Sequence, residues 1–202
     1  MEIVKVDDCN PLQLFHEWLI TARDHPHVPE CNAMRLTTIS NDLEINNRVV
    51  LLKEYDWKGL TFFTNYNSNK AMDLISNPNC SLEFNWPHIS RRIIVKGLAS
   101  QTESEISDNY FFRRPRESQL GALASNQSAI ISSRKCLLDN LNKVTQMNAN
   151  KDIKRPSHWG GITIRPKEFI FITSLKSRIQ KSEIYKVDPN HVWSKIDEWC
   201  YT

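Results

Sequence analysis

The sequence lacks the cysteine and hydrophobic patterns of disulfide-rich, zinc-binding and membrane-spanning proteins. Its five cysteines form no C-x-x-C pair and are odd in number, which argues against both a disulfide framework and a zinc site. The amino terminus has no apolar signal core, and no run approaches the roughly 20 apolar residues that a membrane span requires. We therefore expect a soluble protein of the reducing cytoplasm with no membrane partner.

Strong charge of either sign is also missing. Lys and Arg total 26 against 23 for Asp and Glu, and the basic residues are scattered along the chain. Charge therefore gives no reason to expect a nucleic-acid partner. The six histidines show no metal-ligand spacing on a shared helix face, so we assign them to the surface and predict no metal site.

The length and periodicity predict one domain over residues 1–202. The chain has 202 residues, 40% of them hydrophobic, which is enough for one full core. Helical patterns occupy Pro11 to Ala22, Lys70 to Ile75, and most of Glu103 to Val144 with a break at Pro115. Strand patterns occupy Met34 to Ile39, Arg48 to Leu52, Leu60 to Thr64, Cys80 to Trp86, Arg91 to Ser100, Trp159 to Thr173 and Ser182 to Val187. These elements predict a mainly β chain with α-helices (α+β), a small β-barrel with peripheral helices.

Anion-binding side chains lie at the ends of the predicted strands. Arg forks, Lys charges and hydroxyl donors hold a phosphate dianion best. Arg48, Lys70, Thr64 and Ser128 would supply such a set. The alternative is that Arg48 and Lys53 are the solvated ends of a buried Val-Val-Leu-Leu strand.

A second polar group follows in the helical region. Tyr110, Arg114 and Ser118 together predict an anion pocket, although the basic run Arg113 to Arg116 alone is also typical of a solvated turn around a proline. Further on, the segment Trp159-Gly-Gly161 is compatible with a cofactor contact, but a tryptophan before two glycines more often begins a packed strand.

These segments, in this order, resemble the FMN-dependent pyridoxamine 5'-phosphate oxidase family. The resemblance covers roughly Asn10 to Arg178, and its most specific part is the string Arg-Pro-Arg-Glu-Ser-Gln-Leu-Gly at 114–121. It implies an FMN-binding split β-barrel and a homodimer with FMN at the subunit interface.

The resemblance also implies roles for individual residues. The residues that match family positions in contact with FMN are Arg48, Val49, Val50, Leu51, Phe63, Thr64, Lys70, Arg92, Gln127 and Ser128. The residues that match substrate-binding positions are Lys53, Tyr110, Arg114, Ser118, Arg178 and Gln180.

The activity that the resemblance implies is oxidation of pyridoxine or pyridoxamine 5'-phosphate to pyridoxal 5'-phosphate. Hydride passes from the substrate C4' carbon to the flavin, and oxygen reoxidises the flavin to give hydrogen peroxide. The protein binds and orients both molecules, so no side chain is predicted to act as a nucleophile or catalytic group.

Several residues depart from the family pattern. Asn69 stands where the family usually has Arg, Arg92 where it has Gln, and Ile172 where an ungapped count places a flavin-contacting Trp. In the late Arg-Leu-His-Asp-Arg motif, Gln180 replaces His and Ser182 replaces an FMN-binding Arg. The tail Glu198-Trp-Cys-Tyr-Thr202 replaces the family's Arg-Leu-x-Pro ending.

These departures leave two other hypotheses open. The chain could be a related flavoenzyme that oxidises another reduced ring substrate, as phenazine-biosynthesis members do, which the changes at Gln180 and Ser182 favour. It could also be a non-catalytic relative that binds FMN or pyridoxal phosphate, which the changes at Ile172 and Ser182 favour. Retention of Tyr110, Arg114 and Ser118 favours the oxidase with a phosphorylated substrate.

Overall fold

A single antiparallel sheet organises the protein. The computed structural model describes residues 10–125, 133–149, 151–175 and 178–201. Within these ranges nine strands form one curled sheet, in the order β2-β1-β5-β6-β7-β4-β3, with β8 paired to β7 and β9 paired to β8. The strands are Ala33–Ile39 (β1), Ile45–Leu51 (β2), Glu54–Asp56 (β3), Gly59–Asn65 (β4), Asn79–Trp86 (β5), Arg91–Gln101 (β6), Trp159–Ser174 (β7), Ile179–Val187 (β8) and Trp193–Tyr201 (β9). The predicted split barrel with peripheral helices is thereby confirmed.

Helix α1 (Pro11–Arg23) closes one face of the sheet, here called the inner face. It begins where the Asn10 side chain accepts a hydrogen bond from the Leu12 backbone N–H at 3.0 Å, just before a proline at the first helical position. Phe15 packs edge-on against Phe84 at 5.3 Å between ring centroids. Because strand side chains alternate between faces, the inner face collects the large apolar residues of β5, β6 and β7.

The other helices lie around the sheet and carry polar residues to its rim. They are α2 (Asn69–Ser76), α3 (Ser104–Arg113), α4 (Arg116–Ala124) and α5 (Arg134–Met147). Phe111 of α3, Leu120 of α4 and Trp159 of β7 form a second, smaller apolar cluster. This cluster fixes the α3–α4 pair against the start of β7.

The structure extends the predicted elements and adds two strands. β2 begins at Ile45, three residues before the predicted start at Arg48. β3 and β9 were not predicted at all. β3 has only three residues, and β9 is almost entirely exposed, so neither shows the alternating apolar pattern by which strands are recognised.

The fold depends strongly on the contacts of Phe15. This side chain is fully buried, whereas Phe112 on α3 is 57% exposed. We expect Phe15→Ala to lower the free energy of unfolding by about 3–5 kcal/mol, and Phe112→Ala to lower it by less than about 1 kcal/mol. Urea unfolding followed by circular dichroism measures both. Equal losses in the two variants would contradict the packing described here.

Candidate functional site

Two basic side chains meet beside the carboxyl end of β4. The Lys70 ammonium, in the first turn of α2, donates to the Thr64 hydroxyl at 3.3 Å and to the Ser68 hydroxyl at 3.2 Å. Arg48 on β2 is close enough to lower the pKa of Lys70. Lys70, Arg48, Thr64 and Ser68 are called the first cluster below.

An aspartate orients the arginine of this cluster. The Arg48 guanidinium donates to the Thr38 hydroxyl at 2.5 Å and lies 3.5 Å from the Asp73 carboxylate. Thr38 in turn donates to Asp73 at 2.6 Å. Asp73 therefore fixes Arg48 both directly and through Thr38, and α2 supplies both this carboxylate and Lys70.

Burial changes the acid–base properties of the first cluster. Burial lowers the pKa of Lys70, and the positive charge of Arg48 lowers it further. Burial also lowers the pKa of Arg48, while the attraction and hydrogen bond of Asp73 oppose this effect. Two partly desolvated cations, with Asp73 as the single carboxylate beside them in the described part of the chain, favour an incoming anion.

A second basic site also includes Thr64. A pocket of about 340 Å³ is lined by Phe63, Thr64, Asn65, Arg114, Ser118, Gly121, Ala122, Ser125 and Trp159. It contains the predicted residues Phe63, Thr64, Arg114 and Ser118. We call it the Arg114 pocket.

The break between α3 and α4 presents Arg114 and Ser118 to this pocket. Pro115 ends the α3 pattern, and the Ser118 N–H donates to the Pro115 carbonyl at 2.9 Å to begin α4. Buried Gln119 donates to the Phe111 carbonyl at 3.0 Å and so ties the two helices together. Arg114 and Ser118, which lie on either side of Pro115 in the sequence, are thus held in fixed positions relative to each other.

Arg114 is half-buried and has no full set of hydrogen-bond partners among the described residues. Its Nη1 atom is buried and has no hydrogen-bond partner among the described residues. Burial lowers the pKa of the Arg114 guanidinium, while Tyr110 acts in the opposite direction. A buried, unsatisfied guanidinium N–H is costly unless a ligand completes it, which makes the pocket a fitting site for an anionic group.

Tyr110 lies beside the pocket in an aromatic stack. Its ring is parallel to that of Phe63, with centroids 3.8 Å apart. Burial raises the pKa of the Tyr110 hydroxyl, Arg114 lowers it, and Glu54 raises it. Because Glu54 follows Lys53 directly in the chain, the structure brings the exposed Lys53 segment into the same neighbourhood.

The two sites share Thr64. Its hydroxyl accepts a hydrogen bond from Lys70 in the first cluster, and the same residue lines the Arg114 pocket. Two anionic groups bound at these sites would both lie next to Thr64, near the carboxyl end of β4. The arrangement suits either two phosphorylated molecules or one molecule with two anionic ends.

The remaining residues that the sequence predicts to bind cofactor or substrate are not seen in either site of the described chain. Gln127 and Ser128 fall outside the described residues. Val49 is 67% exposed, Val50 packs at the edge of the main core, and Leu51 is partly buried at the end of β2. Arg178 and Gln180 lie at the β7–β8 connection, where Gln180 donates to Ser174 at 3.4 Å. Neither Arg178 nor Gln180 lines the Arg114 pocket.

Arg92 lies on the outer face of the sheet, opposite α1. Its guanidinium is 3.8 Å from the Glu83 carboxylate, and Arg35 is 3.7 Å from the same carboxylate. Arg92 is paired in register with Ile172 on β7, and Ile172 is paired with Ser182 on β8. Three departures from the family pattern therefore form one row across three strands.

Sequence reasoning overlooked Asp73 and assigned Trp159 mainly to packing. Asp73 orients Arg48, and its signal was an acidic residue one helical turn after Lys70 on the same helix. Trp159 lines the Arg114 pocket as well as packing against Phe111 at 5.3 Å between ring centroids. In the sequence, the two glycines after Trp159 indicate only close packing. The contact of Trp159 with Phe111 cannot be predicted from this local signal, because α3 is distant in the sequence.

The structure also bears on metal and membrane binding. No group of three or more His, Cys, Asp and Glu residues within the described ranges is arranged to hold a metal ion. Among the same residues, no helix combines the length and apolar character needed to cross a membrane.

Sequence comparison identifies related proteins. A family model described as pyridoxamine 5'-phosphate oxidase matches residues 21–148. The pyridoxine/pyridoxamine 5'-phosphate oxidase of Christiangramia forsetii is 42% identical over 182 residues, which cover 90% of this chain and 85% of that protein. The enzyme of the same name from Nostoc sp. strain PCC 7120 is 38% identical over 186 residues, covering 92% of this chain and 86% of that protein.

Solved structures share the fold. PhzG from Burkholderia lata 383, in complex with tetrahydrophenazine-1-carboxylic acid, superimposes with a TM-score of 0.89 at 24% identity, covering 98% of this chain and 100% of that one. A pyridoxamine 5'-phosphate oxidase-related, FMN binding protein from Nostoc punctiforme superimposes with a TM-score of 0.74 at 11% identity, covering 96% and 99% of the two chains. At these identities the likeness extends to the fold alone.

The lowered pKa of Lys70 predicts a proton uptake on anion binding. A bound phosphate dianion favours the charged ammonium, so it raises the pKa of Lys70 back towards its ordinary value. At an alkaline pH between the pKa of Lys70 in the free protein and its pKa in the phosphate complex, binding of inorganic phosphate should therefore take up a fraction of a proton. Calorimetry in two buffers of different ionisation enthalpy measures this uptake.

Lys70→Arg is the matched variant for this experiment. A guanidinium stays protonated over the whole accessible pH range, so the uptake should largely disappear while phosphate still binds. An unchanged uptake in Lys70→Arg would assign the proton to another group.

Proposed function

Because the chain belongs to the pyridoxamine 5'-phosphate oxidase family, we propose that it is an FMN-dependent oxidase of pyridoxine and pyridoxamine 5'-phosphate. The products would be pyridoxal 5'-phosphate and hydrogen peroxide. The observation that carries the proposal is the pair of anion sites that meet at Thr64. One would hold the cofactor phosphate and the other the substrate phosphate.

The first cluster fits the phosphate of FMN. Lys70 and Arg48 supply positive charge, and the hydroxyls of Thr64 and Ser68 already accept hydrogen bonds from Lys70. A phosphate oxygen can replace those hydroxyls as the acceptor, which frees them to donate to it. The Asp73 carboxylate keeps Arg48 in place for this contact. Gln127 and Ser128 are proposed to complete the phosphate site.

The flavin ring would extend from this cluster towards the aromatic residues near β4. Phe63 lines the Arg114 pocket next to Thr64, so it offers an apolar surface at the junction of the two sites. The exposed Val49 and the adjoining Val50 and Leu51 are proposed to contact the cofactor from β2.

The Arg114 pocket fits the substrate phosphate. Arg114, whose buried Nη1 has no described hydrogen-bond partner, and Ser118 line the pocket, and the Tyr110 hydroxyl is proposed to donate a further hydrogen bond. Lys53 would add positive charge from the β2–β3 connection. A phosphomonoester would satisfy the half-buried guanidinium, which no described carboxylate pairs with.

Bound FMN would supply the redox chemistry, a two-electron oxidation at the substrate C4' carbon with oxygen as the final acceptor. The protein's own residues bind the two phosphates and thereby align the reacting rings, which can supply a large part of a rate enhancement. Gln180 can donate a hydrogen bond to the substrate but cannot act as a general acid or base at neutral pH.

We further propose a homodimer with FMN at its interface, formed through the outer face of the sheet. Ile94, Ile170, Ile184 and Ile196 stand side by side across β6, β7, β8 and β9. On one side of this apolar row lies a charged row in which Glu168 pairs with Lys96 at 2.8 Å and with Lys186 at 3.7 Å. An apolar strip with a polar margin is typical of a subunit interface.

A second subunit also explains the positions of Arg178 and Gln180. Both lie at the end of the β7–β8 hairpin, which carries part of the isoleucine row, and neither lines the Arg114 pocket of its own chain. Across a two-fold interface they are proposed to reach the partner's site.

A related oxidase of another reduced ring substrate is the second candidate. The presence of Gln180 and Ser182 in place of the family's His and Arg favours it, because Gln180 matches a substrate-binding position and Ser182 replaces an FMN-binding Arg. Retention of Arg114, a half-buried arginine whose buried Nη1 has no described hydrogen-bond partner, favours the phosphorylated substrate instead.

Anaerobic absorbance spectroscopy tests the activity. The protein reconstituted with FMN and freed of unbound flavin should keep its visible flavin band, and pyridoxine 5'-phosphate added without oxygen should bleach it. Arg114→Ala should retain FMN but need a substrate concentration about 10–100-fold higher, since hydrogen bonds to a charged group contribute about 1.5–3 kcal/mol.

Each other outcome of this experiment is informative. A flavin band that does not bleach with this substrate would contradict the proposed substrate and favour the second candidate. A protein that retains no flavin would contradict the oxidase altogether and favour a non-catalytic relative.

Sedimentation analysis tests the dimer. We expect the wild-type protein to sediment as a dimer and Ile196→Glu to weaken dimerisation at least about ten-fold, because two carboxylates would be buried at the interface. The side chain of Ile196 is 51% exposed in the single chain, and the matched control is Trp57→Glu, at a position that is 80% exposed. A monomeric wild type, or a dimer that survives Ile196→Glu unchanged, would contradict the proposed interface.

A further inference from the structure

Arg114 lies beside a group of three nearly parallel aromatic rings. Tyr110 and Phe63 are parallel within 7°, and Phe63 and Trp159 are parallel within 13° at 5.5 Å between centroids. The Arg114 guanidinium carbon lies 4.4 Å from the centre of the Trp159 ring. The Tyr110 and Trp159 centroids are 6.3 Å apart, so Tyr110 stacks on Phe63 while Trp159 lies beside Phe63, and the guanidinium lies over the face of Trp159.

The aromatic contacts, rather than ion pairing, hold this guanidinium. No described carboxylate forms an ion pair with Arg114, and its buried Nη1 has no described hydrogen-bond partner. A cation over an indole face is attracted by the ring quadrupole without using its N–H donors. A carboxylate in the same place would have occupied donors and cancelled the charge.

Trp159 is itself firmly held. Its side chain is 6% exposed, and its ring packs edge-on against Phe111 at 5.3 Å. Its backbone carbonyl accepts a hydrogen bond from Arg155 at 2.6 Å, and Arg155 also pairs with Asp108 of α3 at 2.6 Å. The indole plane is therefore fixed relative to α3, the helix that leads into Arg114.

We propose that Trp159 is a positioning residue that presents the Arg114 N–H groups to the phosphate of the substrate. The inference rests on the proposed function, in which the Arg114 pocket holds that phosphate. Trp159 acts through Arg114 and makes the pocket selective for a phosphomonoester over the same ring without phosphate. A residue assigned mainly to packing would thus determine substrate class.

A double-mutant cycle tests the proposal. Trp159→Leu, Arg114→Ala and the double variant are compared for binding of pyridoxal 5'-phosphate and of pyridoxal, by calorimetry on the FMN-loaded protein. We expect Trp159→Leu to weaken binding of the phosphorylated ligand about ten-fold and binding of pyridoxal less than about two-fold. In the Arg114→Ala background, Trp159→Leu should change neither affinity further.

Two further variants keep the test decisive. Trp57→Leu removes an exposed tryptophan and should alter neither affinity. Trp159→Phe keeps a smaller ring face and should give an intermediate loss for the phosphorylated ligand, even if Trp159→Leu does not fold. Circular dichroism and thermal unfolding establish that each variant is folded.

Some outcomes would overturn the proposal. Equal losses for pyridoxal 5'-phosphate and pyridoxal, or the same loss with and without Arg114, would show that Trp159 acts only through packing. The same cycle measured with inorganic phosphate separates this inference from the proposed function. Coupling between Trp159 and Arg114 for phosphate in a protein that does not oxidise pyridoxine 5'-phosphate would uphold the positioning role and reject the oxidase.

Discussion

The close approach of β4, β7 and α3 at Gly160 and Gly161 is the constraint on which the site depends. In the β4–β7 register, Thr64 lies opposite Gly160 and Phe63 opposite Gly161. A Cβ atom on Gly160 would lie 2.1 Å from the Tyr66 hydroxyl, and one on Gly161 would lie 3.0 Å from the Phe63 ring. Only hydrogen fits at both positions, so the glycine pair allows the aromatic ring and the adjoining hydroxyl groups to lie directly on the strand.

The two anion sites that share Thr64 differ in how their charge is balanced. In the first cluster, Arg48 has a carboxylate and a hydroxyl as partners, so its position is fixed before any ligand arrives. In the other pocket, Arg114 lies over an aromatic face, and its buried Nη1 has no described hydrogen-bond partner. The first arrangement suits a phosphate that stays bound, and the second suits one that is exchanged at each turnover.

Much of the fold and part of the site were predictable from the sequence. Local signals predict α1 and its cap at Asn10, and short runs of apolar and β-branched residues predict most of the strands. The proximity of Lys70 and Thr64 is also predictable, because the two residues are close in the sequence. By contrast, the Asp73–Arg48 pair and the Trp159–Arg114 contact join segments that only tertiary packing brings together. The exposed strand β9 was not predictable, because its residues pair through backbone hydrogen bonds and bury little apolar surface.

The positions of the departures from the family pattern argue against general decay of the site. Arg92, Ile172 and Ser182 are neighbours across β6, β7 and β8, and Ser182 is in turn paired with Glu198 in the altered tail. Arg48, Lys70, Arg114 and Ser118, the residues proposed to hold the two phosphates, match the family pattern, whereas Asn69 next to Lys70 and Gln180 in the β7–β8 hairpin depart from it. Relative to that pattern, the row lacks a bulky ring at Ile172 and a cation at Ser182, and it has a cation at Arg92. Because these three residues are neighbours in register, the row differs from the pattern in both shape and charge on one face, while the four side chains proposed to hold phosphate are the same.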